Sequence, residues 1–216
     1  MKKILITGAR GFLGSYVVKH FKARGYQTYG IGHEVTSSDE SCISSLDYWI
    51  TGDVSLHAIL EFNQTFDVIV HCAGGGSVGF SIENPDIDFK KTVDSTREIL
   101  EFMRVYNYKA HLIYPSSPAV QGEHPDSPIK ENYIGKPISP YGRHKKIAED
   151  YCYNYSQKYG LNISTVRLFS VYGNGLKKQL LWDACNKLLS AEEKVVFYGT
   201  GNEIRDFIHV SDVMRL

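Results

Sequence analysis

Two residues four positions apart open the chemical reading of this chain. In "SPYGRHKKIAEDY", residues 139–151, Tyr141 and Lys145 stand at i and i+4. On a helix that spacing puts both side chains on one face. A phenol titrates near about pH 10. A neighbouring ammonium, together with a cationic cofactor ring, stabilises the phenolate and lowers that value. Tyr141 then becomes able to take a proton from a substrate hydroxyl at neutral pH. "YPSSPAVQG", residues 114–122, supplies Ser116 and Ser117, whose hydroxyls would bond the reacting oxygen. Among 15 tyrosines a Y-x-x-x-K pattern also arises by chance on a solvated helix face. What stands near it in the fold decides between the two.

The first candidate neighbour is "TGARGFLG", residues 7–14, with Gly8, Gly11 and Gly14 three apart. Between a strand and a helix, such glycines let the backbone turn tightly and approach a pyrophosphate. The anion then sits on the helix N-terminus, here at Phe12 and Leu13. GxxGxxG differs from the GxGxxG of many dinucleotide sites, and a purely structural turn is the alternative. The tip of the next strand should select the cofactor. It reads Gly30-Ile31-Gly32-His33-Glu34, with no acid directly at the strand end. Arg10 and His33 are placed to reach a 2′-phosphate, which favours NADP over NAD; a solvated loop arginine is the alternative. Asp53 and Val54 fall where an adenine would lie, although "GDV" also suits a helix N-cap. Ala73 and Gly74, in "HCAGG", are small enough for close approach to a cofactor, or simply for a turn.

These groups need a scaffold to meet. "KILIT" (3–7), "QTYGIG", "DYWIT", "FDVIVHCA", "AHLIYPSS" and "NISTVRLF" read as strands. Helices are predicted over 12–23, over "SLHAILEFN", from Pro85 to Tyr106, over 140–158 and near 177–190, with a loop over 118–138. "KVVFY" reads as a further short strand. Alternating strands and helices imply βαβ units, right-handed crossovers and a doubly wound parallel sheet of Rossmann type. The expected division is a dinucleotide-binding domain at 1–170 and the beginning of a substrate-binding region at 171–216.

Composition narrows the function. Lys plus Arg and Asp plus Glu both number 24, so the formal charge is zero and nothing points to nucleic acid or an anionic membrane. The four cysteines form no CxxC pair and no metal-ligand spacing. Free thiols in a reducing compartment fit them. No segment has the apolar length of a signal peptide or a membrane span. A cytoplasmic protein without a metal is expected.

Together these pieces resemble the extended short-chain dehydrogenase/reductases of the nucleotide-sugar epimerase/dehydratase group. "TGARGFLGS", "HCAGGGSVGFSIENP", "YPSSPAVQG", "YGRHK", "VRLFSVYGNG" and "GTGNEIRDFIHVSDV" occur in that family's order and approximate spacing. The resemblance implies an NAD(P)-dependent epimerase or 4-keto reductase moving hydride at C4, or a neighbouring carbon, of a nucleotide sugar. In it Tyr141 is the general acid/base, Lys145 holds the nicotinamide ribose and Ser117 is the hydroxyl partner. Ser77, Ser116, Ser170 and Arg205 face the substrate, with Arg205 on its diphosphate. It also implies a homodimer built by the helices near 85–106 and 140–158 as a four-helix bundle.

The sequence departs from the family pattern in places. Ser117-Pro118-Ala119 stands where 4,6-dehydratases carry Thr-Asp-Glu, so that chemistry lacks its acid and base. Gln121 replaces a usual Tyr, and Ser170 and Thr92 replace usual asparagines. The missing acid at the second strand tilts the expectation toward a reductase. Family members typically continue for about a hundred further residues, beyond what domain size alone would suggest. The substrate lobe is therefore expected to be truncated here. A cofactor-binding but catalytically silent chain is the alternative, and a purely structural protein a third reading.

Overall fold

The computed structural model describes residues 1–33, 45–123, 128–133, 135–190, 194–197 and 199–216. They form two compact units, Met1–Leu168 and Phe169–Leu216.

In the first unit, β1 (Lys3–Thr7), β2 (Gln27–Gly32), β3 (Tyr48–Thr51), β4 (Val68–His71), β5 (His111–Ser116) and β6 (Asn162–Arg167) make one sheet, ordered β3-β2-β1-β4-β5-β6. Every pairing is parallel. Leu5, Ile31, Ile69 and Leu112 lie fully buried at its centre, as strands covered on both faces require. The strand order reverses between β1 and β4. Their carboxyl ends part there and leave the crevice where ligands bind in open α/β sheets.

The helices are α1 (Phe12–Ala23), α2 (Leu56–Glu61), α3 (Val78–Glu83), α4 (Pro85–Phe89), α5 (Ser95–Tyr106) and α6 (Pro140–Tyr159). The expected long helix from Pro85 to Tyr106 exists, but with a π-helical turn over Lys90–Asp94. Hydroxyls attend that widened turn. Ser95 Oγ donates to the Lys91 carbonyl at 2.5 Å and Thr96 Oγ1 to that of Thr92 at 2.6 Å. Such side-chain bonds compete with the regular ladder and deform it. The sequence reading did not foresee α3.

α6 starts and stops where its residues dictate. Ser139 caps it by accepting from the Gly142 amide at 3.1 Å, and Pro140 occupies the first turn. Gly160 ends it in the left-handed conformation. Gly142, Lys145, Ala148, Glu149 and Cys152 form its buried stripe.

In the second unit, β7 (Ser170–Tyr172) pairs in parallel with β8 (Phe207–His209), beside α7 (Gln179–Ser190) and α8 (Val210–Val213). The strand expected at "KVVFY" is not formed over residues 194–197. β7 takes β8 as its partner instead, and β-branched content without a ladder does not make a strand. Among the described residues no helix is long and apolar enough to cross a membrane.

Candidate active site

The glycine loop joins β1 to α1. Gly8 has φ +61°, and a Cβ on it would stand 2.7 Å from the Ala73 amide nitrogen. A Cβ on Gly14 would stand 2.2 Å from the Gly8 carbonyl oxygen. Only hydrogen fits at either place. The loop is closed by the Gly11 amide on the Gly8 carbonyl at 2.9 Å. Gly11 caps α1 with no side chain, and the first turn holds no acidic residue. The amides at Phe12 and Leu13 are thus left for an anion, beside backbone that passes unusually close. A dinucleotide pyrophosphate fits this cradle.

Arg10 is no solvated loop residue. Its guanidinium lies over the Trp49 ring at 4.3 Å, and Nη1 donates to the His33 carbonyl at 3.0 Å. Its Nε is buried with no hydrogen-bond partner among the described residues. The His33 ring meets Asp53 at 2.9 Å, both exposed. Asp53 is not the N-cap of α2; Ser55 is, accepting from the Ala58 amide. Val54 packs against the core. Arg10, His33 and Asp53 therefore gather at the ends of β2 and β3. Glu34 lies outside the described residues.

Tyr141, Lys145 and Ser117 converge at the ends of β4 and β5. Tyr141 shares a hydrogen bond with the Ser117 hydroxyl. Ser117 Oγ also accepts from the Ala119 amide, which fixes its rotamer. Ser116 is buried and its Oγ has no partner among the described residues. Lys145 is buried, donates to the Pro115 carbonyl at 3.0 Å and sits 4.8 Å from the centre of the Tyr114 ring. A Cβ on Gly74 would approach its Nζ to 3.7 Å. The Ala73 amide is anchored to Thr7 Oγ1 at 3.1 Å.

The lowering expected of Tyr141 counts on the ammonium and a bound cationic nicotinamide together. Tyr141 is not lowered in the protein alone. Burial pushes it above the ordinary phenol value, the Ser117 hydrogen bond opposes that, and the Asp88 carboxylate adds to it. The Lys145 ammonium is engaged by Pro115 and Tyr114 and does not offset the burial. Lys145 itself is brought down from 10.5 to about 8, chiefly by burial.

Several residues of the site were not foreseen. Ser81 Oγ accepts from the Tyr141 amide at 3.0 Å, tying α3 to the start of α6. Thr92 Oγ1 accepts from the Gly75 amide at 2.9 Å, so the π-turn holds the loop after β4. His71 lies between Thr7 Oγ1 at 2.6 Å and Ser95 Oγ at 3.1 Å. Burial, then the Lys145 charge, pushes it down to about 3, so it stays neutral. Cys72 and Cys152 are pushed up to about 12 by burial, which leaves them inert. His144 lies 2.6 Å from Asp88. These partners come from distant segments, and no local motif announces them.

Ser77 caps α3 by accepting from the Phe80 amide at 3.4 Å. Ser170 and Arg205 belong to the second unit. The Ser170 amide donates to the Asp206 carbonyl at 3.1 Å, and Arg205 is exposed just before β8.

The family model described as "NAD dependent epimerase/dehydratase family" matches residues 4–216. The chain belongs to this family. Among curated members, a UDP-glucuronate 4-epimerase of Thermodesulfobacterium geofontis is 28% identical, over 98% of this chain and 69% of its own length. Among solved members, the UDP-glucuronic acid 4-epimerase of Bacillus cereus, in complex with UDP-glucuronic acid and NAD, superposes with a TM-score of 0.86. It is 26% identical, over 99% of this chain and 71% of that one. The UDP-glucose 4-epimerase of Thermotoga maritima, with UDP-glucose, gives 0.85 at 26% identity, with coverage of 99% and 71%. The fold of this chain is thus shared with these solved members.

Proposed function

We propose that this chain is an NAD(P)-dependent UDP-sugar 4-epimerase whose proton-transfer group is Tyr141. The observation that supports this best is the convergence of Tyr141, Ser117 and Lys145 beside the glycine cradle. With its pyrophosphate in that cradle, a dinucleotide would supply at its nicotinamide a hydride acceptor and donor for the sugar C4. The chain's own groups do the rest. Tyr141 takes the proton from the C4 hydroxyl and returns it. Ser117 Oγ, held by the Ala119 amide, orients the same oxygen. Lys145 presents a buried positive charge that favours the phenolate once the cofactor's ribose lies beside it. Ser77, Ser116, Ser170 and Arg205 are assigned to the substrate, with Arg205 on the diphosphate.

The solved relatives named above are 4-epimerases, and that of Bacillus cereus is a complex with NAD, which supports an epimerase over a reductase. The preference for NADP rests on Arg10, whose buried Nε at the end of β2 lacks a partner among the described residues. Competition between NAD and NADP in calorimetry, on the native chain and Arg10→Ala, separates the two: a 2′-phosphate contact predicts at least about tenfold weaker NADP in the variant and unchanged NAD. Exposed Val105, Tyr106, Tyr153 and Tyr159 on α5 and α6 support the homodimer, which sedimentation tests. The free thiols of Cys72, Cys152 and Cys185 support a cytoplasmic setting.

The activity test is a panel of UDP-glucose, UDP-glucuronate and UDP-N-acetylglucosamine, each followed by proton NMR for its C4 epimer. NADPH consumption with a 4-keto nucleotide sugar and no epimerisation would replace the epimerase with a reductase. Dinucleotide binding without turnover of either kind would leave a silent chain.

A further inference from the structure

Asp88 is fully buried at the end of α4. Its Oδ2 lies 2.6 Å from His144 Nδ1. A carboxylate only accepts, so the ring nitrogen donates. Oδ1 is buried and has no donor among the described residues. It rests against the loop after β4, where a Cβ on Gly75 would stand 1.8 Å away. Only a glycine leaves room for it. The preceding glycine, Gly74, faces the Lys145 ammonium. Two successive glycines therefore touch an acid and a base of one cluster.

His144 follows Tyr141 by three residues, one turn along α6. Its ring packs edge-on against Phe89 at 5.3 Å, and its side chain is 12% exposed. A carboxylate so placed, with one oxygen unsatisfied, is costly. Such a group in a site marks a place where its charge is used.

We propose that Asp88, held by His144, is a positioning residue that sets how readily the Tyr141 phenol releases its proton. The inference rests on the reading of Tyr141 as the acid/base. Asp88 reaches the site from α4 and is joined through His144 to α6 one turn past Tyr141, while Ser117 and Tyr114 come from the β5 side and Lys145 shares the Tyr141 helix. The Asp88 charge opposes the phenolate and steadies the Lys145 ammonium. It thereby keeps Tyr141 protonated in the resting protein, leaving its activation to the arrival of the cofactor. The His144 N–H spreads part of that charge, and losing the donor strengthens the field on the phenol.

The test is a pH titration of the full chain carrying [13Cζ]tyrosine, with the Tyr141 resonance assigned by its loss in Tyr141→Phe. It needs no substrate, so its outcome is independent of the epimerase assays. Asp88→Asn should lower the Tyr141 midpoint by about half a unit or more. His144→Leu should raise it, and His144→Gln, which keeps a donor, should restore the wild-type value. An unchanged or raised midpoint in Asp88→Asn overturns the proposal. If that variant does not fold, His144→Leu and His144→Gln decide: equal midpoints overturn it, and an upward shift in Leu alone supports it.

Discussion

The Lys145 ammonium donates to the carbonyl of Pro115, 3.0 Å away and one residue before β5 ends at Ser116. This bond ties α6 to the edge from which Ser117 projects. Tyr141 and Ser117 reach each other from segments 24 positions apart, and the lysine helps to hold them in register. The same ammonium is buried against Tyr114 and Gly74, so its position is fixed before any ligand arrives.

That fixed charge has a cost for stability. Burial holds Lys145 near about 8 in the folded protein, below the 10.5 of an unperturbed lysine. The folded chain binds this proton less well than the unfolded chain. The contribution to stability is therefore present above about 10.5 and lost as pH falls through about 8. Lys145→Met should be more stable than the wild type at pH 7, by about 1–2 kcal/mol, while losing turnover. Urea denaturation from pH 7 to 11 checks it: the wild type should close the gap as the pH rises above about 8.

Gly14 offers a second test. Its missing Cβ would lie 2.2 Å from the Gly8 carbonyl oxygen. Gly14→Ala must push α1 away from the loop, at about 1–3 kcal/mol of stability. Dinucleotide affinity should fall at least about tenfold, because the amides of the α1 N-terminus move with it. Calorimetry and thermal melts on the same sample give both numbers.

His71 predicts an acid sensitivity. Its folded value is about 3 against an ordinary 6.5, so the unfolded chain takes up a proton that the folded chain refuses. Its contribution is fully present above about 6.5 and lost progressively as pH falls toward about 3. In His71→Gln the fall of the urea midpoint over that window should be shallower than in the wild type. Equal slopes would show that His71 is not kept neutral.

The frame was legible in the sequence for physical reasons. Six apolar runs, a glycine loop after the first and helical segments between them specify a parallel sheet through local periodicity and crossover handedness alone. Tyr141 and Lys145 were legible because one helix face sets their spacing; the strand end offered Ser116 and Ser117, and the family resemblance chose Ser117. Asp88, Ser81 and His71 were not, and Thr92 stood out only as the replacement of an asparagine. Each matters through a partner 17 to 64 residues away, and no local pattern encodes such a meeting. The strand expected at "KVVFY" failed for the same reason in reverse: its composition was suitable, but β7 pairs with β8. The raised Tyr141 value of the protein alone was not legible, because spacing reveals the ammonium but not its engagement by Pro115, nor the depth of burial.

The most direct test of the central claim uses UDP-glucose and UDP-glucuronate labelled with deuterium at C4. Each is incubated with the chain and NAD, with Tyr141→Phe in parallel. The account predicts a C4 epimer of at least one of them that keeps its deuterium, because the hydride is held and returned within the site. It also predicts turnover slower by about 10²–10⁴ in the variant. An epimer that has exchanged its label for solvent hydrogen, or equal rates in the two proteins, would contradict it.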